Sequence, residues 1–200
     1  MIVQINENLN LSLPLRRDGS GVVTVWGYHT PISREVFEAN FRVLSATKAA
    51  LFAKGRNYAG EVGPQIAALL LRDEAKRDAA ERNDVDANGA PNIAGALALL
   101  GDLKRLTLVM TPGAAGWEQI PVDVALARNL IDLDDWREAE AGLVFFTCLY
   151  SITPRAGKRK MIDGVADVLG ASVTSLSPME YIDFLRTSMQ TATTETAAAS

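Results

Sequence analysis

The hydrophobic period of the sequence changes from that of a strand to that of a helix around residue 30, and this change constrains the fold most. Residues 22–26 read VVTVW, a run of strand-forming residues. After a short turn, residues 34–54 carry apolar side chains at helical spacing. Ser33 is placed to accept hydrogen bonds from the first turn as an N-cap, and Ile32 and Phe37 stand at hydrophobic-staple spacing around it. The segment therefore predicts a strand that leads directly into a long, capped helix.

A second alternation of apolar and polar residues precedes this strand. Leu9, Leu11 and Leu13 alternate with polar residues, and residues 18–21 read DGSG, which is typical of a hairpin loop. We therefore predict a β-hairpin over residues 9–27. Two strands alone are only marginally stable in water, so we expect the hairpin to pack on helices or to pair with another chain.

The remainder of the chain shows helical patterns separated by turn residues. The first two expected helices are residues 34–54, which end before Gly55, and a helix from Pro64 with Ile66, Leu69 and Leu70 inward. Residues 93–106 form the next, helical spacing follows over 122–130, and the most buried helix is expected from Asp132 to about residue 150. Residues 161–169 and a last helix with Ser177 and Glu180 as its capping box complete the set. Residues 117–121 are expected to form a short third strand, and residues 155–160 a basic connection.

Together these elements predict a mainly α fold, namely a helical domain of five to six helices that carries a small N-terminal β-hairpin. We expect one domain over residues 1–186. The end of the chain, residues 187–200, consists mostly of Thr, Ala and Ser and has no large apolar residue after Met189. This composition predicts a disordered low-complexity tail.

Composition restricts the partners and the compartment. The chain has 200 residues, 48% of them apolar, and a net charge of −4, so we expect no binding to nucleic acid or to anionic membranes. The uncharged, largely apolar run of residues 141–154 is shorter than the roughly 20 residues of a membrane span. The only cysteine, Cys148, lies among aromatic residues and fits a buried thiol in a reducing cytoplasm.

The sequence offers little catalytic chemistry. A nucleophile relay needs a base beside its nucleophile, and His29 is the only histidine. His29 follows Tyr28 in a turn, which favours a solvated or hydrogen-bonded structural histidine. Cys148 sits in the middle of a predicted helix among aromatic residues, where a thiolate is disfavoured. We therefore expect a protein that is not an enzyme and that uses no cofactor.

Three segments imitate ligand-binding motifs. Residues 84–89 match the first half of a calcium-binding EF-hand loop, but Gly95 stands where the bidentate Glu should be, so a plain polar loop is the alternative. The acidic residues that begin at Asp132 fit a metal site or, preferably, a helix cap. Residues 113–116 (GAAG) lack the Lys and Ser or Thr of a phosphate-binding loop and favour a turn.

One basic cluster is a candidate contact with a partner. Its members are Arg155, Lys158, Arg159 and Lys160. Such a cluster can bind phosphates or an acidic protein surface, and it can also be a solvated connection, since salt screens exposed charges. We take these four residues as the predicted partner-binding site.

Several segments resemble a known family. They read LPLRRD (13–18), YHTPISREVFE (28–38), LLLRD (69–73), GWEQIPV (116–122), GLVFFT (142–147) and TSLS (174–177). The sequences of these segments and their order are similar to those of tail assembly chaperones from long-tailed bacteriophages, and the similarity covers most of residues 9–178. None of these segments is a catalytic motif.

The resemblance implies a non-enzymatic role in the host cell cytoplasm. Such chaperones bind the tape measure protein and help to recruit tail tube subunits before the tail is complete. An alternative is a structural virion component, such as a minor tail or head-tail joining protein, which would use the hairpin as a permanent strand between subunits. Both functions lead us to expect self-association. The working surface is expected to be the hairpin edge together with apolar residues outside the core.

Overall fold

A computed structural model describes residues 9–114, 116–153 and 155–187. Five strands lie in this part of the chain: β1 (Asn10–Arg17), β2 (Val23–His29), β3 (Thr107–Gly113), β4 (Gly116–Pro121) and β5 (Ser172–Thr174). Nine helices accompany them in the same ranges: α1 (Arg34–Ala39), α2 (Phe41–Phe52), α3 (Arg56–Glu61), α4 (Gly63–Glu81), α5 (Ala94–Arg105), α6 (Val122–Ala127), α7 (Leu133–Tyr150), α8 (Arg155–Val168) and α9 (178–187).

The prediction of a mainly α fold with a small hairpin is wrong. Helices account for 58% and strands for 19%, and the strands form one five-stranded antiparallel sheet in the order β4-β3-β2-β1-β5, so the fold is α/β. The predicted hairpin is β1 and β2, and the predicted third strand is β4. The sequence prediction lacks β3, which follows α5 so closely that its apolar residues resemble the end of the helix. It also lacks β5, whose three residues are too few to show an alternation.

The sheet separates two apolar cores because successive side chains of a strand point to opposite faces. One face packs against the helices through Leu11, Leu13, Val25, Val109 and Ile120. The other face packs against α9; its contacts are Tyr28, Met110 and Trp117 with Tyr181, Ile182 and Leu185. The molecule therefore has three layers, which are the main helices, the sheet and α9.

A β-bulge ties the sheet to the helical layer. The ladder between β1 and β2 shifts around Leu15, and a bulge of this kind redirects the next side chain. Arg16 then lies 3.6 Å from the carboxylate of Asp132 and 3.5 Å from that of Asp135, and its Nη1 donates to the carbonyl oxygen of Leu130 at 3.0 Å. These contacts fix β1 at the N-terminus of α7.

The predicted helix over residues 34–54 is two helices. Ser33 is the N-cap of α1, as predicted, and its Oγ accepts from the Val36 amide at 3.4 Å. Asn40 interrupts the helix with φ −111° and ψ 10°, while its side-chain amide donates to the carbonyl of Val36 at 2.9 Å. Asparagine is suited to such a break because its side chain competes for backbone hydrogen bonds. No residue of α1 is buried, so this helix lies on the surface.

The central pair of helices is α4 and α7. As predicted, α7 is the most buried helix, with 11 of its 18 residues buried. The buried stripe of α4 contains Ala67, Ala68, Ala75 and Ala79 beside Leu71. Leu69, predicted to point inward, is exposed. Alanines permit a close approach of two helices, so counting only large apolar residues selects the wrong face of α4.

The last elements correct one prediction and confirm another. Residues 155–160, predicted as a connection, begin α8, because Arg and Lys are good helix formers and the predicted helix 161–169 extends towards them. The predicted capping box of α9 is confirmed: Glu180 Oε2 accepts from the Ser177 amide at 2.7 Å, and Ser177 Oγ accepts from the Glu180 amide at 3.4 Å. Thr187 belongs to α9, and the remainder of the predicted tail, 188–200, lies outside the described residues.

Candidate functional site

His29 is a wholly buried residue at the end of β2, so the solvated alternative is wrong. Its Nδ1 lies 3.0 Å from Thr107 Oγ1, and that hydroxyl donates to the Leu103 carbonyl at 2.8 Å. Since the only hydroxyl proton of Thr107 is used by Leu103, Nδ1 carries the imidazole proton and Nε2 has none. Nε2 finds no hydrogen-bond partner among the described residues. Burial lowers the pKa of His29 from 6.5 to about 3, so the ring is neutral and serves the core.

Cys148 is also a core residue, as predicted. It is buried within α7, and desolvation raises the pKa of its thiol to about 12. A thiolate is the reactive form of cysteine, so this side chain is inert in the folded protein. His29 and Cys148 therefore provide no nucleophile and base pair at the surface.

The loop that imitates a calcium site uses its oxygen atoms internally. Asp86 Oδ1 accepts from the amides of Asn88 at 2.8 Å and Ala90 at 3.0 Å. Asp84 Oδ1 accepts from the side-chain amide of Asn92 at 3.2 Å. Among the described residues no group of three or more His, Cys, Asp or Glu side chains is arranged to hold a metal ion. This segment is therefore the plain polar loop that was the alternative to a calcium site.

The other two imitations also have structural explanations. Asp132 is the N-cap of α7 and accepts from the amides of Asp134 and Asp135, each at 2.9 Å, while the Asp135 carboxylate accepts from the Asp132 amide. These hydrogen bonds lower the pKa of Asp132, since they favour its charged form. Gly113 pairs with Gly116 across the β3–β4 turn, where Gly116 has a φ of 112°. Both segments shape the fold.

The four predicted partner-binding cations lie along the start of α8. Arg155 is the first residue of the helix. Lys158 Nζ lies 3.8 Å from the ring centre of Tyr150, and Arg159 Nε lies 3.5 Å from the carboxylate of Asp163. Lys160 is exposed. Of the three whose side chains the structure describes, Lys158 lines a cleft.

The surface next to Lys158 is aromatic. Phe37 of α1 and Phe41 of α2 stand on either side of the break at Asn40, with ring centres 5.8 Å apart and ring planes at 84°. Phe41 is 51% exposed. We call this pair the aromatic ridge. An edge-to-face pair that remains half in water marks a surface able to bind an apolar partner.

A cleft lies on each side of the aromatic ridge. The first, which we call the tyrosine cleft, has a volume of about 410 Å³ and is lined by Ile32, Ser33, Arg34, Phe37, Glu38, Tyr150, Ser151 and Lys158. The second has a volume of about 380 Å³ and runs from Phe41 towards the ends of α4 and α5. Glu38 borders both clefts and pairs with Arg34 at 2.7 Å. The ridge and the tyrosine cleft combine aromatic walls with the exposed Arg34 and the half-buried Lys158.

The sheet ends at β4 on one side and at the short β5 on the other, so β4 is an open edge and the predicted hairpin is open only where β1 extends beyond its pairing with β5. In the described part of the chain β2 lies between β1 and β3, whereas β4 has a neighbour on one side only. Arg186 of α9 donates to the Trp117 carbonyl at 3.4 Å, and Glu118 pairs with Arg128 at 3.2 Å. These charged side chains restrict pairing of another strand with β4.

Lys158 belongs to the basic cluster predicted from the sequence, whereas the two residues of the aromatic ridge are not among the predicted site residues. Phe37 and Phe41 stand four residues apart, and within the single helix predicted over residues 34–54 this spacing predicts one buried stripe. The signal that could have shown their exposure is Asn40, which stands between them. An asparagine inside a helical pattern favours a break, and a break places the next turn in another direction.

Comparison of the chain with protein families, with curated proteins and with solved structures finds no match. Within the described ranges, no helix combines the length and the apolar character that a membrane crossing requires. The function is therefore inferred from the surfaces of the molecule and from the segments that resemble the chaperones.

Proposed function

We propose that the protein is a non-enzymatic tail assembly chaperone of a long-tailed bacteriophage. It binds the tape measure protein and helps to recruit tail tube subunits in the host cytoplasm. The observation that carries the proposal is the presence of large, half-exposed apolar side chains on separate helices: Phe41 on α2, Leu69 on α4, Leu97 on α5 and Phe184 on α9. A protein that holds a long apolar client needs accessible apolar positions of this kind.

The segments that resemble the chaperones support the same function. GLVFFT lies in the buried part of α7, and GWEQIPV covers β4 and the first residue of α6. LLLRD lies in α4, which packs on α7. These segments form the central layers of the protein. Packing restricts which residues can occur there, so proteins of the same fold are expected to have similar residues at these positions.

The alternative function, a structural virion component, depends on the hairpin as a strand between subunits. β2 is paired on both sides, and β1 pairs with β5 from Asn10 to Ser12. The hairpin therefore offers only the part of β1 beyond Ser12, which contains Pro14. Proline lacks the amide that a new strand would need, so the structure favours the chaperone over this alternative.

The test is co-expression with a tape measure protein of a long-tailed bacteriophage as the client. We expect a soluble complex that is recovered by affinity purification, and an insoluble client when it is expressed alone. We also expect the protein to be absent from purified phage particles. A client that stays insoluble in both cases contradicts the proposal, and a fixed copy number in particles supports the structural alternative.

The basic start of α8 is tested in the same assay. Reversal of charge at Arg155, Lys158, Arg159 and Lys160 is expected to reduce client recovery if these cations contact an acidic client. A control variant reverses Lys54 and Arg56, which are exposed between the end of α2 and the start of α3. Equal recovery for both variants would remove the α8 cations from the client contact and leave the chaperone function standing.

A further inference from the structure

The loop between α4 and α5 contains two neighbouring residues that can react with each other. Asn88 and Gly89 are the only Asn-Gly pair in the chain, and both residues are exposed. The side-chain carbonyl carbon of an asparagine and the backbone nitrogen of the next residue can close a five-membered ring. Glycine hinders this closure least, because it has no Cβ. The sequence therefore places a chemically labile side chain at the surface.

The loop is a short hairpin that requires this glycine. The Asp86 amide donates to the Ala90 carbonyl at 2.8 Å, and the Gly89 amide donates to the Asp86 carbonyl at 3.0 Å. Gly89 has a φ of 78°, whereas the two residues before it do not have positive φ values. This is the geometry of a type I turn followed by a residue in the left-handed conformation, which glycine adopts without strain. The turn therefore selects the residue that also leaves Asn88 open to attack.

No buried side chain holds this turn closed. All residues from 85 to 91 are exposed, and the Asn88 side chain makes no hydrogen bond within the described part of the chain. Before it can attack, the Gly89 nitrogen must leave the Asp86 carbonyl and lose its proton. Opening of an exposed turn costs little free energy, because it separates no apolar core. The reactive arrangement is therefore accessible from the folded protein.

We propose that Asn88 is a site of spontaneous deamidation. The deprotonated Gly89 nitrogen attacks Cγ of Asn88, the Cγ–Nδ2 bond breaks, and the side-chain nitrogen takes up a proton and leaves as ammonia. The product is a cyclic succinimide. Water then opens this ring at either of its two carbonyl carbons, which leaves an aspartate or an isoaspartate at position 88. The reaction consumes one water molecule, and no group is oxidised or reduced.

Both products change the loop. Each adds a negative charge close to Asp84 and Asp86. The isoaspartate also inserts an extra carbon into the main chain, so the hydrogen bonds between Asp86 and Ala90 lose their register. The ends of the loop are joined by the Asn92 amide, which donates to the Asp84 carbonyl at 3.0 Å, and both of these residues line the second cleft. The modification therefore alters a wall of that cleft, and it does not depend on the proposed chaperone function, because it needs only water.

The test is incubation of the full-length protein at 37 °C, at pH 7 and at pH 9, with samples taken over several weeks. Each sample is digested under mildly acidic conditions, and mass spectrometry locates every asparagine that has exchanged its amide nitrogen for oxygen. Asn88 is expected to react at least about tenfold faster than Asn92 of the same loop, because the β-branched Ile93 crowds the ring that Asn92 would form. The rate should be higher at pH 9, since the deprotonated nitrogen is the nucleophile. Isoaspartyl methyltransferase is expected to label the product.

Two further samples separate the effect of the sequence from that of the fold. Asn88→Gln has a longer side chain that would have to close a six-membered ring, so position 88 is expected to remain unmodified. Wild-type protein unfolded in urea is expected to deamidate at Asn88 within about tenfold of the native rate, because the turn opens readily. Circular dichroism confirms that the variant is folded.

The other outcomes overturn the inference. Equal rates at Asn88 and Asn92 in the native protein would show that the Asn-Gly pair is not specially reactive. If Asn88 reacts in urea and stays intact in the native protein over the same weeks, the turn protects it and the proposal is wrong. A modified protein that the methyltransferase does not label, or a rate that does not change with pH, would exclude the succinimide route.

Discussion

Because His29 is buried, the stability of the protein depends on pH between the folded and the unfolded pKa of this residue, and the chain has no second histidine to add to the effect. The folded pKa of His29 is about 3, against 6.5 for an ordinary histidine, and the chain has one histidine. Between these values the unfolded chain binds a proton that the folded protein does not bind. Stability therefore falls as the pH falls through this range, and it is unaffected above it.

The magnitude follows from the two pKa values. Each pH unit below 6.5 costs about 1.4 kcal/mol, so the free energy of unfolding should fall by about 2 kcal/mol between pH 7 and pH 5. The predicted loss of stability at pH 5 requires only that the pKa of His29 in the folded protein lies well below 5. Carboxylates whose pKa is lowered, such as Asp78 and Asp132, lose their contribution at lower pH, because their ordinary value is 3.8.

The assay is urea unfolding of wild type and of His29→Asn at pH 7, 6 and 5. The asparagine amide can reach Thr107 as Nδ1 does, and it does not titrate. At pH 7 we expect the two proteins to differ in their free energy of unfolding. Between pH 7 and pH 5 we expect this free energy to fall less for His29→Asn than for wild type. Equal dependence in both proteins would refute the reasoning. So would an NMR resonance of His29 that titrates near 6.5 in the folded protein.

Three further predictions concern packing, capping and reactivity. Gly63→Ala is expected to destabilise the protein by about 1–3 kcal/mol in thermal or urea unfolding, because the new Cβ would lie 2.8 Å from the Phe145 ring; Gly60→Ala, which meets open space, is the control and should not show this loss. Ser177→Ala is expected to cost about 1 kcal/mol through loss of the α9 cap, and a cost no larger than that of Ser175→Ala would contradict the capping role. Cys148 is expected to resist thiol reagents in the native protein and to react in urea; fast native labelling would show that the thiol is accessible.

Local chemistry was predictable from the sequence wherever a few neighbouring residues decide the structure. The caps at Ser33, Asp132 and Ser177 are formed within one turn, and all three lie where the sequence placed them. The hairpin of β1 and β2 depends on one loop and was predicted as well. Each of these features closes its hydrogen bonds within a short stretch of chain.

Long-range pairing was not predictable in the same way. β3 pairs with β2 across 78 to 84 residues, and β5 pairs with β1 across most of the chain. Which strands pair depends on the packing of the whole core. The three residues of β5 are too few to show the alternation of apolar and polar residues that predicts a strand. The aromatic ridge depends on the break at Asn40, and the exposure of Phe41 follows from that break.

The pairing of the first strand with the end of the chain also has a consequence in time. The hydrogen bond between Ser12 and Tyr181 joins residues 169 positions apart, and β5 comes from the same late segment. At 5–20 residues per second, a ribosome needs roughly 8 to 35 seconds to make the intervening chain. The outer side of β1 waits unpaired for that interval, beside other nascent chains. Pro14 lies on that strand, and because it has no amide hydrogen it limits premature pairing until the native strand is synthesised.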